Sequence, residues 1–227
     1  MLRLAVLALL TVLSACFSLV PHAEAAIDPA VVLDGPANNI LDVDGAEMAP
    51  DGSGGIVYRK LVGGIVHVFA VPFSDGRWGA PIEVDDEDAY GASEPAIAAG
   101  EGGRLLVVWV QARNVGSSDI AEYELMSASL QPGASTFGQA IAVNTNVGEP
   151  RTADISAVDP KLAMAPDGAA YVVYRVVLDA CGLGDEGNPA EARCRPGSTD
   201  KVVSVRVASF NYLTWSSVGQ INRASQI

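Results

Sequence analysis

The chain has 227 residues and a formal net charge of −13 at pH 7. A field of this sign repels a polyanion, so nucleic acid is excluded as a partner and the charge serves mainly solubility. The chain has two histidines, and one of them lies in the N-terminal segment, so no Ser-His-Asp catalytic grouping is predicted.

Residues 1–25 have the pattern of a secretory signal peptide. Arg3 supplies positive charge, an apolar stretch runs from Leu4 to Val20, and Ala23-Glu24-Ala25 offers a small-x-small cleavage site. The apolar stretch is also at the short end of what a transmembrane helix needs. The cleavage site favours the signal peptide, so we expect a secreted, extracellular product whose mature domain is 26–227.

A lipid anchor is the alternative to soluble secretion. Leu13-Ser14-Ala15-Cys16 fits the lipobox of bacterial lipoproteins, in which the cysteine is lipidated and becomes the new N-terminus. Lipidation at Cys16 would hold the protein at the cell surface, and only then is the membrane a partner. The apolar stretch continues past Cys16, which favours secretion.

Beyond this segment the chain repeats one phrase three times. The copies close at Pro50-Asp51-Gly52, at residues 100–103 and at Pro166-Asp167-Gly168. Asp-Gly between apolar runs is a strong hairpin signal, because glycine adopts the positive φ of the turn without steric cost. Six residues after each closing glycine stands an aromatic residue: Tyr58, Trp109 and Tyr174. A pattern that recurs along the chain with one internal spacing is typical of repeat architectures.

Each repeat unit predicts about four strands. After the aromatic strand comes an alternating strand, such as Ile65–Val71 or Val202–Ser209, which places one face in a core. A second aromatic residue then opens a fourth short strand in each unit: Trp78, Phe137 and Trp215.

The predicted fold is therefore all-β, a β-propeller of four-stranded blades with about three blades present. The blades are expected at approximately 45–88, 93–147 and 159–223, with a leading outer strand at 31–35. A β-sandwich also has short, regularly spaced strands. It does not require its hairpins to resemble one another, so the propeller is favoured.

One hairpin carries a more specific motif. Ser74-Asp75-Gly76-Arg77-Trp78 is a shortened form of Ser-x-Asp-x-Gly-x-Thr-Trp, and Thr214-Trp215 keeps the end of that motif. The chain thus resembles the sialidase-like β-propellers that carry Asp-box (bacterial neuraminidase) repeats. The resemblance implies an active site with three arginines on a substrate carboxylate, a tyrosine nucleophile backed by a glutamate, and an acidic general acid or base.

Two arginines are candidates for binding a substrate of that kind. Arg59 and Arg175 follow Tyr58 and Tyr174 at equivalent repeat positions, whereas Val110 stands there in the middle unit. The favoured interpretation is a packing aromatic followed by a solvated or cross-strand-paired arginine. No catalytic residue is assigned. Other arginines stand outside this pattern, at positions 104, 113 and 151.

Acidic clusters raise the question of a metal. Asp85–Asp88 is an acidic run, and Asp42, Asp44 and Asp51 surround the first turn. Calcium binds several oxygen ligands, but the full spacing of a calcium loop is absent. His67 alternates with apolar neighbours and is expected to be structural. We therefore predict no metal and no cofactor.

Cys181 and Cys194 lie in a polar insertion and should pair as a disulfide in an oxidising compartment. The bond would close a loop of a size that contributes about 3 kcal/mol. The spacing lacks a Cys-x-x-Cys form, so it does not indicate a zinc site. The loops at 114–122, 144–159 and 178–199 are the expected recognition surface, because loops on a rigid scaffold carry specificity.

Three blades and a spare strand do not close a ring of roughly four to eight blades. The chain is then either a fragment or half of a six-bladed homodimer, and exposed strand edges favour the fragment. The function favoured is a bacterial secreted or cell-surface binding module for an unknown extracellular ligand, a glycan or a protein, rather than an enzyme. The alternatives are a fragment of a sialidase-like glycoside hydrolase and a structural repeat protein of the envelope.

Overall fold

The computed structural model describes residues 30–85, 91–114, 121–143, 156–179, 201–220 and 225–226. The chain divides into Met1–Val32 and Leu33–Ile227, and every described strand lies in the second part. These residues form an all-β structure, as predicted, in which the single helical element is one 3-10 turn. No helix in the described ranges is long and apolar enough to cross a membrane.

The first repeat unit forms a sheet of its own. Its strands are β1 (Ile40–Met48), β2 (Gly54–Val62), β3 (Ile65–Ser74), β4 (Arg77–Trp78) and β5 (Ile82–Glu83). The order is β1-β2-β3, all antiparallel, and both β4 and β5 pair with β3.

The second and third repeat units follow the same plan. The second has β6 (Ala92–Gly100), β7 (Arg104–Asn114), β8 (Ala121–Leu130) and β9 (Ile141–Ala142), with the 3-10 turn between β6 and β7. The third has β10 (Ser156–Met164), β11 (Ala170–Asp179), β12 (Lys201–Phe210), β13 (Trp215–Gln220) and β14 (Ser225–Gln226). Pairing is antiparallel within each unit, and one parallel bridge between β8 and β10 joins the two units into a nine-stranded sheet. The sheets formed by the described strands are open.

The segment expected to be a leading strand is not one. Residues 31–35 contain no strand, and the first strand begins at Ile40. The short apolar run suggested a strand, but Gly35-Pro36 follows at once, and proline has no N–H to donate to a ladder. Asp34 instead accepts hydrogen bonds from the Tyr58 hydroxyl at 2.6 Å and from Lys60 Nζ at 2.8 Å.

The repeated phrase forms the turns that the sequence predicted. Gly52 N–H donates to Ala49 O at 2.9 Å, and Gly168 N–H donates to Ala165 O at 2.8 Å. The φ angles of these glycines are +83° and +96°, a region that side-chain-bearing residues rarely adopt. These two turns therefore depend on their glycines.

The three turns also bind one another. Gly102 N–H, in the second turn, donates to Asp51 Oδ2 in the first at 2.7 Å. Glu101 N–H donates to Pro166 O in the third turn at 3.1 Å. Hydrogen bonds from the Gly102 and Ser53 amides and the Ser53 hydroxyl lower the pKa of the Asp51 carboxyl. The second turn thus links the other two.

The middle strand β7 is buried on both faces. Its odd-numbered residues Leu105, Val107 and Trp109 pack in a cluster with β2 and β3 of the first unit. Its even-numbered residues contact β11 and β12 of the third unit. This arrangement explains the unbroken apolar run from Leu105 to Val110, because a strand covered on both faces needs no alternation. The aromatic residues of the three units, Tyr58, Trp109 and Tyr174, are all buried.

Candidate functional site

Each repeat unit has a β-bulge in its first strand. The bulges interrupt the pairing of β1 with β2, of β6 with β7 and of β10 with β11, and they hold Asp44, Glu94 and Asp159. A bulge bends its strand and redirects a side chain, and bulges are common beside functional sites. Strand β6 contacts both β1 and β10, so the three bulges belong to neighbouring strands.

Two of these acidic residues have an uncommon backbone conformation. The φ angles of Glu94 and Asp159 are +48° and +54°. Each precedes a buried proline, Pro95 or Pro160, which a bulge tolerates because the ladder needs no donor there. A left-handed residue other than glycine costs about 1–3 kcal/mol, and such strain concentrates at functional sites.

The bulges line an open cleft of about 420 Å³. This volume is within the range of small-molecule sites. Three consecutive segments, one from each unit, form the wall: 44–47, 94–97 and 159–162. The charged residues among them are Asp44, Glu47, Glu94, Asp159 and Lys161. The cleft is therefore predominantly acidic.

Arg59, on β2, binds the acidic residues of β1. Its Nε donates to both carboxylate oxygens of Asp44, at 3.1 and 3.0 Å, and its guanidinium lies 3.3 Å from Asp42 Oδ2. Burial raises the pKa of the Asp44 carboxyl, and the hydrogen bonds from Arg59 partly oppose that rise. The same carboxylate raises the pKa of Arg59.

Arg175, on β11, makes the corresponding contact in the third unit. Its guanidinium forms an ion pair with Asp159. The backbone N–H of Asp159 in turn donates to Glu94 Oε2 at 2.6 Å, which connects the third unit to the second. Asp44 and Asp159 are thus each paired with an arginine, and the Glu94 carboxylate is bonded to the backbone of Asp159.

Both predicted arginines lie beside the cleft but do not line it. Arg59 and Arg175 each bind a carboxylate of their own chain, which is the cross-strand pairing favoured from the sequence. Arg104 donates to Gln131 Oε1 at 2.8 Å and lies near Tyr212.

Sequence reasoning missed Glu94 and Asp159 and noted Asp44 only as part of an acidic cluster around the first turn. Glu94-Pro95 stands fifteen residues before Trp109, and Asp159-Pro160 stands fifteen residues before Tyr174. An acidic residue followed by proline at one spacing in two units was the signal that could have found them. The third member, Asp44, is followed by glycine instead.

Several predicted features lie outside the described residues. They are the signal peptide, Cys16, Cys181 and Cys194, the acidic residues 86–88, and most of the loops at 114–122, 144–159 and 178–199.

A separate group of side chains has the composition of a metal site. Among the described residues, the one set of three His, Cys, Asp or Glu side chains that could share an ion is His67, Glu83 and Asp85. These side chains belong to the first unit and do not line the cleft. Burial raises the pKa of the Asp85 carboxyl to about 6.

No family model and no curated protein matches the chain. Solved structures similar to it include a Hadza microbial sialidase, with 14% identity over 79% of this chain and 37% of that one, at a TM-score of 0.48. An ulvan lyase of polysaccharide lyase family 25 shares 10% identity over 78% of this chain and 43% of that one, with a TM-score of 0.39. The polysaccharide lyase Uly1 shares 9% identity over 88% of this chain and 56% of that one, with a TM-score of 0.38. The chain spans less than two thirds of each of these structures, and a sialidase is among them, as the sequence resemblance predicted.

Proposed function

We propose that this chain is a glycan-binding module whose binding site is the acidic cleft between β1, β6 and β10. The observation that carries the proposal is that the bulges of the three repeat units supply Asp44, Glu94 and Asp159 to one open cleft. A repeat protein that served only as a scaffold would not need an acidic residue at each bulge, nor the left-handed backbone of two of them, Glu94 and Asp159.

The chemistry of the cleft suits a ligand rich in hydroxyl groups. Ionised carboxylates only accept hydrogen bonds, and each has several lone pairs for the purpose. Glu94 and Glu47 are exposed carboxylates on the wall, while Lys161 offers donors from β10. Sugar hydroxyls both donate and accept, so such a wall binds them without burying an unmatched charge.

The charge of the cleft favours a neutral or amino sugar over an acidic one. Arg59 is already paired with Asp44, and Arg175 is already paired with Asp159. A substrate carboxylate that bound either arginine would therefore have to displace a carboxylate of the protein. This competition weakens the case for a sialidase-like hydrolase with these two arginines as its clamp.

The proposal includes that the three repeat units are successive blades of a propeller. The contacts of β6 with β1 and β10, and the stacking of β7 between its neighbours, support that arrangement. The N-terminal pattern supports a secreted protein, with lipidation at Cys16 as the alternative. A Cys181–Cys194 disulfide belongs to the same extracellular setting.

The test is glycan binding by the full chain and two matched variants. Glu94→Gln removes the charge from the cleft but keeps an oxygen that accepts from Asp159 N–H. Glu101→Gln makes the same chemical change in the exposed 3-10 turn, away from the cleft. An array of neutral, amino and sialylated glycans selects the ligand, and isothermal titration calorimetry then gives its Kd.

We expect binding to neutral or amino sugars. Glu94→Gln should weaken it about tenfold, because a hydrogen bond to a charged acceptor contributes about 1.5–3 kcal/mol and one to a neutral acceptor only about 0.5–1.5 kcal/mol. Glu101→Gln should have no effect. Binding restricted to sialylated glycans would contradict the preference inferred from the charge of the cleft. An equal effect of the two substitutions would show that the cleft is not the site.

A further inference from the structure

A polar cluster separate from the acidic cleft lies between β3 and the end of the first unit. His67 is on β3, Glu83 closes β5, and Asp85 follows two residues later. His67 Nδ1 lies 3.2 Å from Glu83 Oε1 and 3.2 Å from Asp85 Oδ2. The three ligand atoms all lie within 4.8 Å of one another.

Two of the three side chains are buried. Only 7% of the His67 side chain and none of the Asp85 side chain is exposed, whereas 46% of the Glu83 side chain is exposed. His67 Nδ1 and Asp85 Oδ2 are both closed to solvent, and neither forms a hydrogen bond. Buried polar atoms are almost always hydrogen-bonded, so a pair that faces each other without one requires an explanation.

A comparison of the three repeat units distinguishes the structural role of Asp85 from the negative charge that its side chain adds. Its Oδ1 accepts a hydrogen bond from Val68 N–H at 2.7 Å. Asn144 and Asn222 stand at the equivalent positions of the other two units, after the same short strand. An asparagine oxygen can accept the same backbone hydrogen bond without carrying a charge. The negative charge at Oδ2 is therefore an addition that the repeated fold does not require.

Among the three repeat units, the sequence places an imidazole and two carboxylates at these three aligned positions only in the first. Strand pairing aligns Glu83 with Ala142 and Gln220, and the same register aligns His67 with Glu124 and Ser204. Neither of the other units combines an imidazole with two carboxylates. A set of packing residues would be expected to recur, whereas a ligand site needs to occur only once.

We propose that His67 Nδ1, Glu83 Oε1 and Asp85 Oδ2 bind one divalent transition-metal ion, with zinc as the best fit. Zinc binds nitrogen at about 2.0–2.1 Å and carboxylate oxygen at about 2.0–2.2 Å, so the ligands of a tetrahedral site lie about 3.3–3.5 Å apart. The two distances of 3.2 Å from the imidazole are close to that separation.

The donor atoms also select among metals. An imidazole with carboxylates suits zinc and its neighbours, whereas calcium and magnesium prefer oxygen ligands throughout. The exposed Glu83 leaves one side of the cluster open, which gives the ion a path of entry and leaves a position for water. The sequence predicted no metal because the ligands have no recognised spacing and His67 alternates with buried valines.

The experiment measures zinc binding to the full chain by equilibrium dialysis and calorimetry. Asp85→Asn installs the residue that the other two units carry, so the bond to Val68 N–H and the fold should be kept. His67→Gln removes the imidazole and serves as a second, independent variant. Asp75→Asn makes the matched change at an exposed turn of the same unit.

We expect one zinc ion per chain, bound at least about tenfold more weakly by Asp85→Asn and by His67→Gln and unchanged in Asp75→Asn. Cobalt bound to the unsubstituted chain should give the visible absorption of a low-coordinate site, and both ligand variants should lose it. Absence of stoichiometric zinc binding would overturn the proposal. Equal affinity in all four proteins would also overturn it, because it would assign the binding to the acidic surface. Neither result depends on whether the cleft binds a glycan.

Discussion

Val107 and Val108 are adjacent residues of β7 that should contribute to two different interfaces. Both are fully buried. Val107 packs against the first unit and Val108 against the third. Val43, on β1, is 65% exposed and provides the matched control. We predict that Val107→Ala and Val108→Ala destabilise the protein to a similar extent, and that Val43→Ala has a much smaller effect.

The size of the effect follows from burial. Valine to alanine removes two methyl groups, and each buried group contributes about 0.8 kcal/mol, which makes about 1.6 kcal/mol. The surrounding side chains relax only partly into the space, so the cavity raises the cost to about 2–3 kcal/mol. All three substitutions share the lower strand propensity of alanine, which accounts for less than about 1 kcal/mol. The difference between buried and exposed sites isolates the packing contribution.

Urea unfolding of the full chain, followed by tryptophan fluorescence and circular dichroism, gives the free energy of unfolding for each variant. The double variant Val107→Ala/Val108→Ala should be less stable than either single variant, because the two side chains pack in different clusters. If Val108→Ala costs no more than Val43→Ala, β7 is not covered by the third unit and the stacking of the units is wrong.

Two further predictions concern contacts between repeat units. Hydrogen bonds lower the pKa of the Asp51 carboxyl, so its contribution to stability is present above the pKa of the same carboxyl in the unfolded chain and is lost as pH falls through its folded-state pKa. The Gly102 amide resonance should titrate with a midpoint below the ordinary pKa of an aspartate side chain, and Asp51→Asn should abolish the titration. A midpoint at or above that ordinary pKa would contradict the hydrogen bond from Gly102 N–H to Asp51 Oδ2. Trp215→Phe removes the Nε1–H that donates to the buried Ser127 Oγ at 2.7 Å. It should lower the free energy of unfolding by about 1–2 kcal/mol, and a urea unfolding curve unchanged from the parent would argue that this hydrogen bond does not form.

Local features of the fold were predictable from the sequence because local chemistry determines them. The turns at Gly52 and Gly168 need a positive φ, and glycine adopts it with little cost, so the phrase Pro-Asp-Gly was a dependable signal. The buried aromatic residues were also predictable, since they stand at one distance from those turns. The strand expected at 31–35 does not form, because apolar residues alone do not provide a neighbouring strand to pair with.

The candidate site was less accessible to sequence reasoning. The conformation of Glu94 and Asp159 is imposed by irregular pairing of β6 with β7 and of β10 with β11, where the register shifts after Ser93 and after Val158. Composition marks these residues only as two of many acidic side chains. Arg59 and Arg175 drew notice because they recur after tyrosine, but their partners depend on the same bulges. The cluster around His67 depends on β5 returning to β3, which no spacing rule anticipates.

The hydrogen bonds among the three turns have a consequence for the cleft farther along the same strands. Since Gly102 N–H donates to Asp51 Oδ2 and Glu101 N–H donates to Pro166 O, the turns that follow β1, β6 and β10 are held together at one end of these strands. The carboxylates at the bulges are therefore positioned before any ligand arrives. The proposed glycan binding would then require little ordering of the protein, and the saving in conformational entropy would contribute to affinity. If the cleft binds a glycan as proposed, loosening the turns should weaken that binding by raising this entropic cost, even though no turn residue lines the cleft.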